Sequence, residues 1–215
     1  MSKVNYRLLM EREIAQFTKN GCQPTLLLHV CCAPCASGML EMLCRHFRVT
    51  CFYYNPNISP REECEKREGE LQRLVREIPL ENPPRVLVGE YEPEVFYAAA
   101  HGLENVPEGG ERCFACYRLR LEKTARMAAE EGFDYFTTSL SVSPLKNADK
   151  LNEIGAELAE KSGVKYLFSD FKKGNGYLTS IQNSRKYGLY RQDYCGCIYS
   201  KLQREREKAD ENKGV

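Results

Sequence analysis

The sequence lacks a strong excess of charge of either sign, since 31 basic and 30 acidic side chains leave a formal net charge of +1. This balance excludes a grossly basic protein, so any contact with a nucleic acid has to come from a local patch. No stretch approaches the ~18 apolar residues of a membrane-spanning helix, and we expect no membrane partner. Residues 1–17 include Glu11 and Glu13 and lack the apolar core of a signal peptide. We therefore expect a cytoplasmic protein.

Two common nucleotide-binding motifs are also absent. The sequence contains neither a Gly-x-Gly-x-x-Gly segment nor the lysine motif of a phosphate-binding loop, so we predict no nucleotide cofactor. It has no internal repeat or low-complexity segment. A chain of 215 residues, of which 42% are hydrophobic and 28% charged, can bury one full core. We predict a single domain over residues 1–215, with an extra N-terminal helix in 1–20 and a charged C-terminal tail at 205–215.

Cysteine, in contrast, is plentiful, with eleven residues in the chain. An odd number of thiols cannot all pair, and thiols in the cytosol are kept reduced. Clustered cysteines in that compartment bind metals or perform redox chemistry more often than they crosslink a fold. Seven of them form three groups that we expect to meet at one site: Cys31, Cys32 and Cys35; Cys113 and Cys116; Cys195 and Cys197. Four others lie singly, and we expect them to pack or to have no role: Cys22, Cys44, Cys51 and Cys64.

Short runs of β-branched and aromatic residues alternate with amphipathic helical patterns. The predicted strands cover residues 25–30, 48–54, 85–89, 133–140 and 164–169. The predicted helices cover residues 4–19, 36–46, 60–78, 93–101, 111–131, 147–161, 179–188 and 198–209. Ser59 is the expected N-cap of the third helix, with Pro60 at its first position and Glu62 completing a capping box. The alternation predicts an α/β fold, a parallel five-stranded sheet with helices on both faces.

The first group of cysteines directly follows the strand predicted at residues 25–30. Ligands of open α/β sheets bind beyond the carboxyl ends of strands, so these thiols are expected at the active-site edge. They can serve as metal ligands if the backbone turns between Cys31 and Cys32. Alternatively, Cys32-Ala-Pro-Cys35 before a helix is the arrangement that lowers thiol pKa values in thioredoxin-like proteins. His29, inside the strand, is expected to be a satisfied core residue rather than a ligand.

The second group, Cys113 and Cys116, opens a predicted helix. Residues three apart share a helix face, so both sulfurs can reach one metal centre. The positive end of the helix dipole favours their thiolate forms. Together with Cys31 and Cys32 they supply four soft ligands, which is enough for zinc or an iron–sulfur cluster.

The third group is Cys195-Gly196-Cys197. Two cysteines around one glycine can close only a very small, strained disulfide, and strained disulfides are the labile, catalytic ones. The segment can therefore be a dithiol that cycles its oxidation state, a second metal site, or a loop with spectator thiols. Asp193 and Asp170 can donate protons, although such carboxylates more often lie on the surface or cap a helix.

A possible nucleic-acid surface combines basic and aromatic residues. Single-stranded RNA bases stack on aromatic rings while basic groups hold the phosphates. A solvated charged surface explains the same residues equally well: Lys146, Lys172, Lys173, Arg185, Lys186 and Arg191, with Tyr177, Tyr187 and Tyr190.

Four segments taken together resemble the cobalamin-independent epoxyqueuosine reductase family (QueH). They are residues 29–35 (HVCCAPC), 52–58 (FYYNPNI), 110–117 (GERCFACY) and 190–197 (YRQDYCGC). The resemblance implies a Rossmann-like, adenine-nucleotide-hydrolase-like α/β fold. It also implies reduction of the epoxide of epoxyqueuosine to queuosine at the wobble position of certain tRNAs.

The resemblance also implies roles for six of the cysteines. Cys31, Cys32, Cys113 and Cys116 would hold a [4Fe-4S] cluster, and Cys195 with Cys197 would form a redox-active disulfide. Loss of the epoxide oxygen as water needs two electrons and two protons, which a dithiol can supply. An additional mononuclear iron or zinc with an open position could bind the oxygen, and Asp193 is the expected proton donor. The expected partners are the tRNA anticodon loop, with a flipped or exposed base, and an external electron-donor protein.

Two other functions fit parts of this pattern. A thioredoxin-like thiol–disulfide oxidoreductase would use Cys32 and Cys35 and contain no metal. A non-catalytic zinc module that binds RNA would hold its metal tightly and unfold when a chelator removes it. Iron and acid-labile sulfide analysis of anaerobically purified protein separates these three functions.

Overall fold

A computed structural model of the protein describes residues 4–211. Its central sheet contains the strands β1 (Thr25–His29), β2 (Arg48–Tyr53), β3 (Arg85–Val88), β4 (Tyr135–Thr138) and β5 (Lys165–Tyr166). The strands lie in the order β3-β2-β1-β4-β5, and all neighbours pair in parallel. The predicted α/β fold with five parallel strands is confirmed.

The order of the strands places a crevice at one point of the sheet. From β1 the chain moves outward to β2 and β3, and it then returns to the other side of β1 for β4 and β5. The direction of winding therefore changes between β1 and β4, where His29 pairs with Thr138. Ligands of open parallel sheets bind beyond the carboxyl ends of such a pair. The residues that follow these two strands are therefore expected to form a site.

Helices cover both faces of the sheet. They are α1 (Tyr6–Lys19), α2 (Ala33–Ser37), α3 (Leu40–His46), α4 (Arg61–Glu77), α5 (Pro93–Ala100), α6 (Glu111–Glu130), α7 (Ala148–Ser162), α8 (Gly176–Lys186) and α9 (Ile198–Glu211), and a 3₁₀ helix at Ser139–Val142 follows β4. Side chains alternate across a strand, so Leu26 and Leu28 enter one core and Leu27 the other. The first core contains side chains of α1, α3 and α4, and the second contains those of α6 and α7.

The N-terminal helix is part of the main packing rather than an addition outside it. Met10 and Ile14 of α1 are buried in the same core as β1, and the ring of Phe17 lies 4.9 Å from that of Phe47. At the other end of the chain, residues 205–211 of the predicted tail belong to α9, whereas 212–215 lie outside the described residues. That the whole chain forms one domain stays a prediction. Within residues 4–211, no helix is long and apolar enough to cross a membrane.

The helix predicted at residues 36–46 is in fact two helices, α2 and α3, with a break at Gly38. Pro34 lies in the first turn of α2, and the extended backbone of Cys32 precedes it, so helical structure begins earlier than predicted. A Cβ atom on Gly38 would lie 2.5 Å from the carbonyl oxygen of Gly176 in α8. The first of the two helices therefore ends where the backbone of α8 crosses it.

The capping box predicted at Ser59 is wrong. Pro60 is the N-cap of α4, Arg61 is its first residue, and no side chain caps the helix. The backbone of Ser59 instead binds the third cysteine segment, because its N–H donates to the carbonyl oxygen of Gly196 at 2.9 Å. The tertiary contact takes precedence over the local capping motif.

All five strands are shorter than predicted, and β4 and β5 differ from the prediction the most. After Thr138 the chain forms the 3₁₀ helix, and the Thr138 side chain accepts the N–H of Leu140. β5 ends at Tyr166, and although the N–H of Leu167 still donates to the carbonyl oxygen of Phe136 in β4 at 3.0 Å, the backbone farther on bonds to a side chain. Asn152 of α7 accepts the N–H of Ser169 at 2.9 Å and donates to its carbonyl oxygen at 2.8 Å. Such a side-chain partner leaves little signal in the sequence pattern.

Candidate active site

Three thiols lie together just beyond the carboxyl end of β1. The Sγ atoms of Cys31, Cys32 and Cys35 all lie within 4.8 Å of one another, with 3.1 Å between Cys32 and Cys35. The extended backbone at Cys32 and the immediate start of α2 turn the chain enough to bring the three together. Cys31 also contacts the residue after β4, since its N–H donates to Ser139 Oγ at 3.3 Å. The group thus lies at the crevice between β1 and β4.

Hydrogen bonds between these three thiols lower the pKa of one of them and raise the pKa values of the other two. Hydrogen bonds with the thiols of Cys31 and Cys35 lower the pKa of Cys32 well below the usual value. The same contacts raise the pKa of Cys35, and the bond to Cys32 raises that of Cys31. Cys32 is therefore the most acidic thiol of the group, and thiolates are the form that binds metals and reacts.

Four further thiols line a small cavity between α6 and the start of α9: Cys113, Cys116, Cys195 and Cys197. The N–H of Gly109 donates to Cys113 Sγ at 3.3 Å, and that of Ser200 donates to Cys197 Sγ at 3.4 Å. Burial raises the pKa of Cys113 and raises that of Cys116 to about 12. Two buried polar atoms on this cavity, Asn57 Oδ1 and Tyr117 Oη, have no hydrogen-bond partner among the described residues.

Contacts to α4 position the Cys195-Gly196-Cys197 segment. Arg67, whose side chain is only 2% exposed, donates from Nη1 to the carbonyl oxygen of Cys195 at 3.0 Å and from Nε to Glu63 at 2.7 Å. Gly196 has a φ of +126°, a conformation that side-chain-bearing residues rarely adopt. A Cβ atom there would lie 2.9 Å from Ile58 Cγ1. The glycine between the two cysteines is therefore required by the conformation.

A larger cavity of about 360 Å³ opens beside the first group of thiols. Cys31, Cys32 and Cys35 line one part of it, and Lys146 and Cys195 line another. Cys195 also lines the smaller cavity, so the two cavities share a cysteine. The three sequence groups converge on one edge of the sheet, as predicted. That Cys31, Cys32, Cys113 and Cys116 act as one ligand set stays a prediction.

Arg120 of α6 is a buried positive charge between the two groups of thiols, and it lines both cavities. It donates to Asn55 Oδ1 at 3.4 Å and to the carbonyl oxygen of Cys116 at 3.3 Å, and both acceptors are uncharged. Burial alone would lower its pKa, but the sulfurs of Cys116, Cys195 and Cys31 together raise it. A buried cation requires compensation by negative charge. Thiolates, or an anionic group that they hold, meet that requirement.

Asp193, the predicted proton donor, lies on the rim of the larger cavity. Its carboxylate is exposed and forms an ion pair with Lys208 of α9. The hydrogen bond from Lys208 lowers the pKa of Asp193 below its usual value, so this carboxyl group is ionised at neutral pH. Its role as a donor stays a prediction, and the geometry gives it little support.

His29 is a core residue, as predicted. Its Nε2 lies 3.1 Å from the carbonyl oxygen of Tyr54, and its Nδ1 lies 2.9 Å from Thr138 Oγ1. Because a carbonyl can only accept, Nε2 carries the hydrogen and the hydroxyl of Thr138 donates to Nδ1. Both ring nitrogens are thus used in joining the ends of three strands. Cys44, Cys51 and Cys64 are buried and Cys22 is exposed, and none belongs to either group of thiols.

The basic and aromatic residues predicted as a nucleic-acid surface differ in their contacts and in whether they line a cavity. Lys172 and Lys173 pair with Asp170 at 2.8 and 3.8 Å, and Tyr190 donates to Glu63. Neither cavity is lined by Arg185, Lys186 or Tyr187. Three members of the set do line the larger cavity: Lys146, Tyr177 and Arg191. That any of these residues contacts a nucleic acid stays a prediction.

Four charged residues lie beside the thiols without a sequence signal for that role, although Lys146 was among the residues predicted as a nucleic-acid surface: Arg67, Glu108, Arg120 and Lys146. Arg120 was detectable in principle, because it lies four residues after Cys116 and seven after Cys113, on the same helix face. Glu108 and Lys146 lie in two different loops that are far apart in the sequence. Only the tertiary structure brings them together.

Comparison with known proteins identifies the family. The family model described as epoxyqueuosine reductase QueH matches residues 26–203. This chain belongs to that family. The curated epoxyqueuosine reductase QueH of Streptococcus pyogenes serotype M1 is 40% identical over 200 residues, covering 92% of this chain and 78% of that protein. The protein of the same name from Thermotoga maritima is 38% identical over 192 residues, covering 86% of this chain and 95% of its own.

Membership of the QueH family confirms the resemblance found in the four sequence segments. The matched range contains the cysteines of all three groups and the residues that line both cavities. The family name also confirms the predicted class, an oxidoreductase.

Proposed function

We propose that this protein is an epoxyqueuosine reductase that removes the epoxide oxygen of epoxyqueuosine in tRNA and thereby forms queuosine. The single observation that carries the proposal is family membership over residues 26–203, with every thiol of the matched motifs at one edge of the sheet. The larger cavity, at about 360 Å³, is in the size range of small-ligand sites. It can accept one modified base taken out of the anticodon loop.

The residues of the site fit an iron–sulfur group in two respects. The donors are thiols, which such clusters require, and seven of them line the two adjoining cavities. The buried guanidinium of Arg120, which has only uncharged acceptors, would neutralise part of an anionic cluster. We propose that Cys31, Cys32, Cys113 and Cys116 hold a [4Fe-4S] cluster, which when bound would transfer single electrons. An additional mononuclear iron or zinc near Cys35 is part of the same proposal, since the Cys31, Cys32 and Cys35 sulfurs are close enough to hold an ion.

The Cys195–Cys197 dithiol would provide the electron pair. Conversion of an epoxide to an alkene and water consumes two electrons and two protons, and conversion of two thiols to one disulfide releases the same number. The two cysteines flank Gly196 and both line the smaller cavity, and Arg67 donates a hydrogen bond to the carbonyl oxygen of Cys195. An external electron-donor protein would then reduce the disulfide for the next turnover. This exchange supports a cytoplasmic location, where thiols are kept reduced.

The two rival functions have partial support from the same geometry. The 3.1 Å separation of the Cys32 and Cys35 sulfurs suits a thiol–disulfide oxidoreductase. Three thiols within 4.8 Å of one another suit zinc. The thiol–disulfide function leaves the second group of four thiols without a role, and family membership favours the reductase over a zinc module. The reductase accounts for both groups, and we therefore favour it.

The deciding experiment is anaerobic purification, followed by metal analysis and an assay on tRNA that contains epoxyqueuosine. The expected result is a brown protein with about four irons and four acid-labile sulfides per chain, which converts the nucleoside to queuosine with dithionite as reductant. A colourless protein that leaves the nucleoside unchanged would contradict the proposal. A colourless protein that reduces insulin disulfides would support the thioredoxin-like function instead.

A further inference from the structure

Lys146 is a buried lysine at the point where the two cavities meet. Its side chain is 8% exposed, and it lines both the larger and the smaller cavity. Its Nζ donates to Glu108 Oε1 at 2.8 Å and to Cys195 Sγ at 3.2 Å. The residue follows the 3₁₀ helix after β4, so it reaches the crevice from the β4 side, whereas Cys31 follows β1.

The burial of this ammonium group needs a physical reason. Burial favours the neutral amine, but the Cys195 sulfur, which accepts a hydrogen bond from Nζ, and the Glu108 carboxylate outweigh burial and raise the pKa of Lys146. The group therefore remains an ammonium ion. An ammonium has three N–H donors, and the described residues accept two of them. The third is available to an acceptor that enters the larger cavity.

We propose that Lys146 is a catalytic residue that delivers to the epoxide oxygen the proton released by the Cys195 thiol. This proposal rests on the proposed function. As the C–O bonds of the epoxide break, the oxygen gains negative charge, and Lys146 donates a hydrogen bond and then a proton to it. The amine takes up the Cys195 proton across the 3.2 Å contact. Lys146 is thus unchanged at the end of the reaction.

The step balances in atoms and electrons. Cys195 and Cys197 together lose two protons and two electrons and become joined by a disulfide bond. The epoxide gains the same two protons and two electrons, loses its oxygen as water, and becomes an alkene. One proton passes through Lys146, and the second comes from the other thiol. The external electron-donor protein restores both thiols afterwards.

Lys146 suits this role better than Asp193. A proton donor has to be protonated before the reaction, and Asp193 is an exposed carboxylate paired with Lys208. Lys146 is protonated, lies in the cavity and contacts the sulfur whose proton has to move. An ammonium with a raised pKa is a weak acid, so Lys146 transfers its proton only to a strongly basic acceptor, such as the alkoxide oxygen that forms as a C–O bond of the epoxide breaks.

The test compares Lys146→Ala and Lys146→Arg with Lys150→Ala. Lys150 is the matched control, because it pairs with Glu153 at 2.6 Å but lines neither cavity. Single-turnover reduction of tRNA with epoxyqueuosine should fall at least about 100-fold in Lys146→Ala, the usual range for loss of a general acid. Added ethylamine should restore part of the rate, and Lys146→Arg should keep more of it than Lys146→Ala. Iron and sulfide content should stay at the wild-type level.

Chemical rescue separates catalysis from a structural role, because an amine in solution cannot repair a misfolded protein. If Lys146→Ala does not fold, Lys146→Ala with Glu108→Gln removes the unpaired carboxylate and is assayed in the same way. A rate for Lys146→Ala within about threefold of the Lys150→Ala rate overturns the role of Lys146 but not the proposed function. A Lys146→Ala protein that is inactive and gains nothing from amine also overturns it. A wild-type protein that does not reduce the tRNA overturns both proposals.

Discussion

Arg67 Nη1 donates to the carbonyl oxygen of Cys195 at 3.0 Å, and this one bond joins α4 to a segment 128 residues later in the chain. The guanidinium is buried, pairs with Glu63 at 2.7 Å and lies 5.3 Å above the ring of Tyr194. Three contacts, with Cys195, Glu63 and Tyr194, thus fix the orientation of the Arg67 guanidinium. The position of the Cys195 sulfur, next to both Lys146 and the larger cavity, therefore depends on the packing of α4.

Gly196→Ala should displace this segment. Gly196 has a φ of +126°, and a Cβ atom would lie 2.9 Å from both Ile58 Cγ1 and Arg67 Nη1. We expect the free energy of unfolding to fall by about 1–3 kcal/mol. Epoxide reduction should fall about 100-fold, because a shift of about 1 Å in a reacting group has that effect. Urea denaturation and single-turnover assays measure the two changes.

Gly69→Ala is the matched control, since Gly69 lies inside α4 and no atom is within 4 Å of its ideal Cβ position. Alanine in a helix interior should stabilise the protein by about 0.5–1 kcal/mol relative to glycine. Activity should be unchanged. If Gly196→Ala is as stable and as active as Gly69→Ala, the conformation of the Cys-Gly-Cys segment affects neither the free energy of unfolding nor epoxide reduction.

Cys113→Ser and Cys195→Ser should have different effects on colour and turnover. Cys113 is a proposed cluster ligand, and its replacement should abolish the cluster absorbance together with activity. Cys195 is a proposed electron donor, and its replacement should leave the absorbance intact but stop turnover. Visible absorption spectra and iron analysis of anaerobically purified variants measure the first effect, and nucleoside analysis measures the second.

Cys44→Ser controls for the general effect of removing a buried thiol, because Cys44 is buried in α3 away from both cavities. It should keep both absorbance and activity, at some loss of stability. Full activity of Cys195→Ser on modified tRNA would refute the dithiol mechanism. Retention of a complete cluster in Cys113→Ser would refute the proposed ligand set.

The fold was largely predictable from the sequence because its parallel strands are buried on both faces and read as short apolar runs. The run at Leu26, Leu27 and Leu28 gives β1 correctly, since all three side chains are fully buried. The ends of elements were less predictable where a distant group decides them. The backbone of Gly176 divides α2 from α3, and the backbone of Gly196 takes the N–H of Ser59. Neither contact has a local pattern.

The thiols of the site were predictable, and the charges around them were not. Clustered cysteines at a strand end and a helix start are rare enough to identify by spacing alone. Arg67, Arg120 and Lys146 are ordinary basic residues in sequence, and only burial beside sulfur gives them a role. Proximity in sequence to Cys195 predicted Asp193 as a proton donor, which stays a prediction, and no sequence pattern indicated that its exposed side chain pairs with Lys208.

Tyr177→Ala should weaken binding of tRNA. Tyr177 is 38% exposed and lines the larger cavity, as does Leu145, which is 72% exposed. An exposed aromatic ring at the opening of the site can stack on an unpaired anticodon base, a contact worth about 1–3 kcal/mol. We expect about tenfold weaker binding of the anticodon stem-loop, measured by fluorescence anisotropy at fixed salt concentration.

Tyr97→Ala is the control for loss of an exposed tyrosine, because Tyr97 of α5 is 42% exposed and does not line the larger cavity. It should bind the stem-loop like the wild type. Equal binding by Tyr177→Ala and Tyr97→Ala would exclude stacking at Tyr177.

His29→Gln should alter the dependence of stability on pH. Burial, and next the charge of Arg120, lower the pKa of His29 from 6.5 to about 3. Between these values the unfolded chain binds a proton that the folded protein does not, so stability falls as the pH decreases from about 6.5 toward 3. The slope from this residue approaches about 1.4 kcal/mol per pH unit, and His29→Gln should remove it.

Urea denaturation at several pH values between 4 and 7 measures this slope, and His101→Gln is the control, because His101 is exposed at the end of α5. His29→Gln should also lower stability at pH 7 by about 1–3 kcal/mol, since glutamine cannot satisfy both Thr138 and Tyr54 in the same geometry. His101→Gln should change neither quantity. If His29→Gln keeps the wild-type slope, the acid sensitivity arises from other groups, and the neutral imidazole that joins β1, β2 and β4 is not its source.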